Sequence, residues 1–280
     1  MAQTDRFLLA GVIGWPVMHS RSPAIHNYLF KQHGLKGAYV PLAIRPEGLC
    51  TALKALPVLL FSGCNLTIPH KEEAMAIVDR VDAAAEAIGA ISCVIVEPDG
   101  SLTGHNNDHF GYTAGLLEAE PAWRADAGPI VVIGAGGGGR AVVYSLVRRG
   151  AREIRLVNRT RSRAEALKRS IGGPIEVLAW EERNRSLAGA SMLVNVTSQG
   201  MSGNPPLDID LAELPKSALV SDIIYIPRET PLLAAARERG NRTVNGLAML
   251  LHQVRPAWKA WFGIEPKITP ELRAAIEATI

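Results

Sequence analysis

The sequence predicts an α/β protein of two domains. Three observations carry this expectation. Apolar runs of strand length alternate with helical patterns along most of the 280 residues, which argues parallel-rich sheets covered by helices. The alternation starts twice, at "FLLAGVIG" (7–14) and again at "GPIVVIGAGGGG" (128–139), and each start has its own buried first strand. Near the end, "GLAMLLHQVRPAWKAWFG" (246–263) reads as one long apolar helix whose one-sided pattern sends it back onto the first half.

The elements follow in order. Residues 7–14 form a buried strand. "SPAIHNYLFKQHG" (22–34) is a helix, with Ser22 as N-cap, Pro23 at the first helical position and Gly34 as stop. Strands are expected at 37–44 and 63–68, and a helix over "KEEAMAIVDRV" (71–81). "ISCVIVE" (91–97) and "SLTGH" (101–105) make a hairpin around "PDG". A helix starts near Asp108, and the border between the halves lies within 115–128. The second half then gives a strand at 130–133, a helix, a strand at 153–158, a helix at 162–170, and strands near 175–178, 191–198 and 218–225.

Composition narrows the function classes. Hydrophobic residues are 48% and charged residues 20%, a globular balance. No apolar run reaches membrane-span length, and the first twenty residues lack the basic and small-residue marks of a signal peptide, so a cytoplasmic protein is expected. Three cysteines without a C-x-x-C make no disulfide framework. A net charge of +3 spread along the chain gives no case for nucleic acid. It still leaves room for a small anionic ligand.

Residues 134–139, "GAGGGG", fit G-x-G-x-x-G at Gly134, Gly136 and Gly139. The turn follows a strand and opens a helix, and the next strand ends about twenty residues on, where a ribose would be read. The backbone of Gly134, Ala135, Gly136, Gly137, Gly138 and Gly139 is therefore the expected pyrophosphate cradle, with helix-start amides as donors. At the ribose position stand Asn158, Arg159 and Thr160, with Arg163 beyond and no carboxylate. An acidic residue would repel a 2′-phosphate, whereas arginine forks bind one, so the expected cofactor is NADP. Arg161 reads as a solvated helix face.

Lys71 in "NLTIPHKEEA" and Asp108 in "GHNNDHFG" carry the first half's candidate chemistry. Alone, a lysine at a helix start is a surface charge and an Asp before an apolar helix is an N-cap. His105 and His109 flank Asp108, but no third ligand is apparent, so no metal is expected.

The segments "GWPVMHSRSPAIHN", "NLTIPHKEEA", "NNDHFGY", "GAGGGGRA", "NRTRSRAE", "NVTSQGM", "DIIYIPRETPLL" and "GLAMLLHQ" resemble, in order and spacing, those of shikimate dehydrogenases. The resemblance covers nearly the whole chain. It implies a substrate-binding domain built from both chain ends (1–115 with 245–280), a Rossmann-like NADP-binding domain between them (116–244), and a cleft holding the site. It implies Lys71 and Asp108 as catalytic pair, Ser20 and Ser22 with Tyr225 at the substrate carboxylate, and Thr67, Ser92 and Gln253 at the ring. Gly246 falls on the cofactor side. The implied partner is a small shikimate-like carboxylic acid, and the implied assembly a monomer or homodimer.

Departures from the family pattern cluster near the substrate. Ser92 stands where an asparagine is usual, Asn107 where the family has threonine before the aspartate, and Asn245 and Ala248 alter "DGLGM". These leave open a relative oxidising quinate, an aminoshikimate or another cyclic polyol acid. A weakly active NADP-binding regulatory protein is the other alternative, against which stands the retention of Lys71 and Asp108.

Overall fold

The computed structural model describes residues 7–280. By contact they divide into two compact units, one running to Asn107 and resuming at Gln253–Thr279, the other covering Asp108–His252.

Unit one opens with β1 (Leu8–Gly14), α1 (Ser22–Gln32), β2 (Gly37–Ala43), α2 (Leu49–Ala55) and β3 (Phe61–Leu66). It continues with β4 (Arg80–Val81), α3 (Ala83–Ile88), β5 (Cys93–Val96) and β6 (Leu102–His105). Its sheet has the order β2-β1-β3-β5-β6-β4. Strands β2, β1 and β3 are parallel, and β5 and β6 form the expected antiparallel hairpin. Apolar positions of α1 spaced for one face, Ile25, Leu29 and Phe30, are fully or almost fully buried.

Two expectations fail here. Ser22 is the first helical residue of α1 and not its cap. The N-cap is Arg21, without a side-chain bond, and the Ser22 amide donates to Ser20 Oγ at 3.2 Å. The expected helix at 71–81 is only a short 3-10 turn, Glu73–Ala76. The sheet edge captures its second half. The Asp79 amide donates to the Leu102 carbonyl, the Leu102 amide to Asp79 Oδ2, and the Asp82 amide to the Gly104 carbonyl. Those pairings outweigh the modest helical preference of the segment. Asp82 then caps α3, accepting from the Ala85 amide at 2.6 Å.

Unit two contains α4 (Asp108–Ala119), β7 (Ile130–Ile133), α5 (Gly137–Arg148), β8 (Ile154–Val157), α6 (Arg161–Ile171) and β9 (Ile175–Leu178). It continues with β10 (Met192–Asn195), β11 (Leu219–Asp222), α7 (Pro231–Glu238), β12 (Arg242–Val244) and α8 (Leu247–His252). Its six strands are all parallel, ordered β12-β11-β10-β7-β8-β9. Strands buried on both faces read as unbroken apolar runs, as β7 does. The order reverses between β7 and β10, and ligands of such sheets sit outside the carboxyl ends of the strands at that point.

The chain returns to unit one with α9 (Val254–Phe262) and α10 (Pro270–Glu277). The single helix expected over 246–263 is thus two, parted at Gln253. Pro256 explains the break. It has no amide for the carbonyl of residue 252, and its ring clashes there. Each half takes its own partner. α8 lies against α4, where a Cβ on Gly115 would stand 2.7 Å from the Met249 nitrogen. α9 buries Trp258 beside Phe30, with ring centroids 5.0 Å apart. The intimacy of α4 with α8 places the contact borders at 107/108 and 252/253, in place of the expected 115/116 and 244/245. Among the described residues no helix is long and apolar enough to cross a membrane.

Candidate active site

In unit two the glycine turn closes the β7 end. Gly134 has φ +119°, a conformation that side-chain-bearing residues rarely adopt, and its amide donates to the Val157 carbonyl at 2.8 Å. A Cβ on Gly139 would meet the Gly134 carbonyl oxygen at 2.8 Å, so α5 comes this close to the turn only with glycine there. A Cβ on Gly136 would meet nothing within 4 Å. The space over the turn is open, and α5 starts at Gly137 with no side-chain cap, so Gly137 and Gly138 present helix-start amides toward it. A pyrophosphate fits this cradle.

The ribose position is more structured than the sequence implies. Asn158 Oδ1 accepts from the Ala135 amide at 3.1 Å, and its Nδ2 donates to the Thr160 carbonyl at 2.8 Å. The carboxamide therefore braces the glycine turn against the next loop, keeping one lone pair and one N–H for a ribose. Arg161 pairs with Glu165 at 3.3 Å on its own helix. Arg159, Thr160 and Arg163 are exposed at the start of α6, whose first turn holds no acidic residue.

The carboxyl ends of β10 and β11 carry a buried polar network that joins two of the quoted segments, "NVTSQGM" and "DIIYIPRETPLL", in a way their separate sequences do not show. Asn195 Oδ1 accepts from the Thr197 amide and hydroxyl, and its Nδ2 donates to Asp222 Oδ2 at 3.1 Å. Asp222 also accepts from the Ile224 amide and the Thr230 hydroxyl. Burial outweighs these bonds and pushes its carboxyl up to about 6. Gly246 lies beside this network, its amide bonded to the Ile224 carbonyl. A Cβ there would stand 1.9 Å from the Ile223 carbonyl oxygen. Gly246→Ala is expected to destabilise the protein by about 2–3 kcal/mol, read as a fall in urea midpoint. An unchanged midpoint would mean that the backbone yields freely. Asn245 accepts from the Leu247 amide and donates to the Arg228 carbonyl, so this departure serves the entry into α8.

In unit one, backbone bonds gather Thr67, Lys71, Ser92 and Asn107 into one corner. The Thr67 amide donates to the Ile13 carbonyl, the Leu66 amide to the Ser92 carbonyl, and the Ile91 amide to the Lys71 carbonyl at 2.7 Å. Ser92 is buried, and its Oγ accepts from the Asn107 amide at 2.8 Å. A polar chain leads away from this corner. Asn65 Nδ2 donates to the Ser92 carbonyl, and Asn65 Oδ1 accepts from the Tyr39 hydroxyl at 2.7 Å. Burial raises the Tyr39 phenol well above its usual range. Tyr39 is thus joined through Asn65 to Ser92. Tyr39 stands in none of the quoted motifs, and Asn65 opens "NLTIPHKEEA" without a role assigned to it. Their only signal is a tyrosine and an asparagine inside otherwise apolar strands. Gln253 sits at the α8/α9 break, half-buried.

Asp108 and Tyr225 belong to unit two, Asp108 as the buried first residue of α4 and Tyr225 half-buried after β11. The two histidines near Asp108 have separate partners. His105 Nδ1 lies 2.7 Å from Asp82 Oδ2, and the His109 ring meets Tyr144 edge-on at 5.3 Å.

Residues 12–94 match the model of the shikimate dehydrogenase substrate binding domain, and residues 121–205 that of shikimate / quinate 5-dehydrogenase. A relative from Rhodospirillum rubrum, a shikimate dehydrogenase (NADP(+)), is 51% identical over 98% of both chains. Among solved structures, shikimate 5-dehydrogenase from Thermus thermophilus, in complex with NADP(H) and shikimate, has a TM-score of 0.86 at 33% identity over 98% of this chain and 100% of its own. Quinate dehydrogenase from Corynebacterium glutamicum, in complex with NAD, has a TM-score of 0.89 at 33% identity over 97% and 99%. With half its residues shared over nearly its full length, and two family models matched along it, this chain belongs to the shikimate dehydrogenase family.

Proposed function

We propose that the chain catalyses the reversible NADP-dependent reduction of 3-dehydroshikimate to shikimate, within aromatic amino acid (chorismate) biosynthesis. The observation that carries this reading is the corner of unit one, where Thr67, Lys71 and Ser92 are fixed together by backbone bonds. The glycine cradle and exposed Arg159 support NADP as the partner cofactor.

The nicotinamide group supplies and accepts hydride when bound. This chain's residues do the rest. The Lys71 ammonium donates a proton to the ring oxygen as the carbonyl is reduced and takes it back in the reverse direction, with Asp108 as its partner in the proton transfer. The Ser20 and Ser22 hydroxyls donate to the substrate carboxylate, assisted by Tyr225. Thr67 and Gln253 hold ring hydroxyls. The helix-start amides of Gly137, Gly138 and Gly139 would hold the pyrophosphate over Gly136, while Gly134 and Ala135, whose amides donate to the Val157 carbonyl and to Asn158, shape the turn beneath it. Asn158 would hold the ribose, Arg159, Thr160 and Arg163 the 2′-phosphate, and Gly246 borders the cofactor. The protein works in the cytoplasm as a monomer or homodimer, which sedimentation would decide.

Steady-state assays of nicotinamide absorbance with shikimate and quinate, each with NADP+ and NAD+, test the reading. Shikimate with NADP+ is expected to give the highest kcat/KM. A preference for quinate would move the protein to its sister activity, and no turnover would support a binding protein. Arg159→Ala is expected to weaken NADP by about 1–3 kcal/mol, roughly 5- to 150-fold, and NAD far less. Equal loss for both cofactors would remove Arg159 from the phosphate site.

A further inference from the structure

Asn107 is 7% exposed, and its Nδ2 finds no partner among the described residues. A buried amide donor is costly to leave unpaired. Its neighbours are otherwise satisfied. The Asn107 amide is held by Ser92 Oγ at 2.8 Å, the Ser92 amide by the His105 carbonyl, and the Ser92 carbonyl by the Leu66 amide and Asn65 Nδ2. Next door, Asn106 Nδ2 donates to the Ala90 carbonyl at 2.9 Å. Of the two asparagine side chains here, Asn107 is the one whose Nδ2 has no partner among the described residues, and the backbone that carries it is pinned.

Its place is informative. Asn107 immediately precedes Asp108, and it hangs from Ser92, whose neighbour Ile91 is bonded to Lys71. The Ser92 hydroxyl accepts the Asn107 amide and so keeps its proton to donate. Positions 92 and 107, which depart from the family pattern separately along the chain, are thus in contact. The carboxamide missing at 92 is present at 107.

We propose that the Asn107 carboxamide determines substrate specificity by donating from Nδ2 to a non-reacting hydroxyl oxygen of the ring acid, in place of an amide at position 92. An uncharged N–H donor selects a hydroxyl oxygen there without adding charge beside Lys71 and Asp108. This inference rests on the shikimate reading given above.

The experiment uses the whole protein with saturating NADP+ and three substrates: shikimate, and its 4-deoxy and 5-deoxy analogues, which keep the reacting 3-hydroxyl. Turnover of shikimate by the unaltered protein comes first, and its absence overturns the functional reading itself. Asn107→Ala is then expected to raise KM for shikimate roughly 10- to 100-fold, with a smaller change in kcat and unchanged NADP affinity. On one of the deoxy analogues the penalty should shrink to within about twofold, because the partner oxygen is gone. Asn107→Leu, close in size and without a donor, should behave alike and covers the case in which the alanine variant folds poorly. A KM unmoved in both variants overturns the proposal. So does an equal penalty on all three substrates, the mark of a merely structural asparagine.

Discussion

Lys71→Ala is expected to lower kcat on shikimate by a factor of about 10²–10⁴ while leaving NADP affinity intact, the loss typical of removed general acid–base assistance. The fold should survive the change. Its carbonyl accepts the Ile91 amide at 2.7 Å, and alanine keeps that bond to the sheet. Lys71→Arg separates two contributions. Arginine keeps the positive charge but does not release a proton near neutral pH. If the lysine moves a proton, the arginine variant stays slow. If it only polarises the carbonyl, the arginine variant recovers most of the rate. Near-normal turnover of Lys71→Ala would return the residue to the role of a surface charge.

The cofactor half is the more legible in the sequence, for a physical reason. A parallel sheet buried on both faces writes its strands as short apolar blocks, and the glycine turn marks the switch point without help from distant residues. Strands β7 and β9 fall where they are expected, to the residue. Unit one is harder to read because its structure depends on partners far along the chain. The segment at 71–81 carries helical residues, yet pairing with β6 decides its shape. Short helices such as α2, α3 and α10 leave too few turns for a clear period. The break at Gln253 has a visible sign, since Pro256 stands inside the pattern.

Among site residues, the motifs locate Lys71 and the glycines but not the bonds that hold them. That Asn158 braces the turn, and that Ser92 holds Asn107, depend on loops meeting in space. Residue type does mark where to look. A lone polar side chain in an apolar strand, such as Tyr39 or Asn195, must find a partner when it is buried. Both prove to be nodes of polar networks beneath the candidate site.

Burial of His26 is expected to cost stability in acid, a loss that Asp222 offsets in the unaltered protein and that His26→Gln removes, so that the variant becomes more stable as pH falls from 6 to 4. The His26 ring is fully buried, accepts from Trp258 Nε1 at 2.7 Å and stacks on Tyr39 with centroids 3.9 Å apart. Burial lowers its pKa from 6.5 to about 3. Below pH 6.5 the unfolded chain takes up a proton that the folded ring refuses. Stability therefore falls with falling pH by about 1.4 kcal/mol per unit, reaching about 5 kcal/mol near pH 3. Asp222 runs the other way. Its carboxyl is raised from 3.8 to about 6, so the folded state holds the extra proton between those values and gains stability as pH falls through them. Between about pH 6 and 4 these two titrations nearly cancel each other. The variants separate them. Relative to the unaltered protein, His26→Gln should gain stability as pH falls from 6 to 4, while Asp222→Asn should lose it, each with a slope of about 1.4 kcal/mol per pH unit. Fixed offsets from altered hydrogen bonds do not matter, because the readout is the slope in urea unfolding across pH. If all three proteins give parallel curves, neither burial shifts the titration of its group.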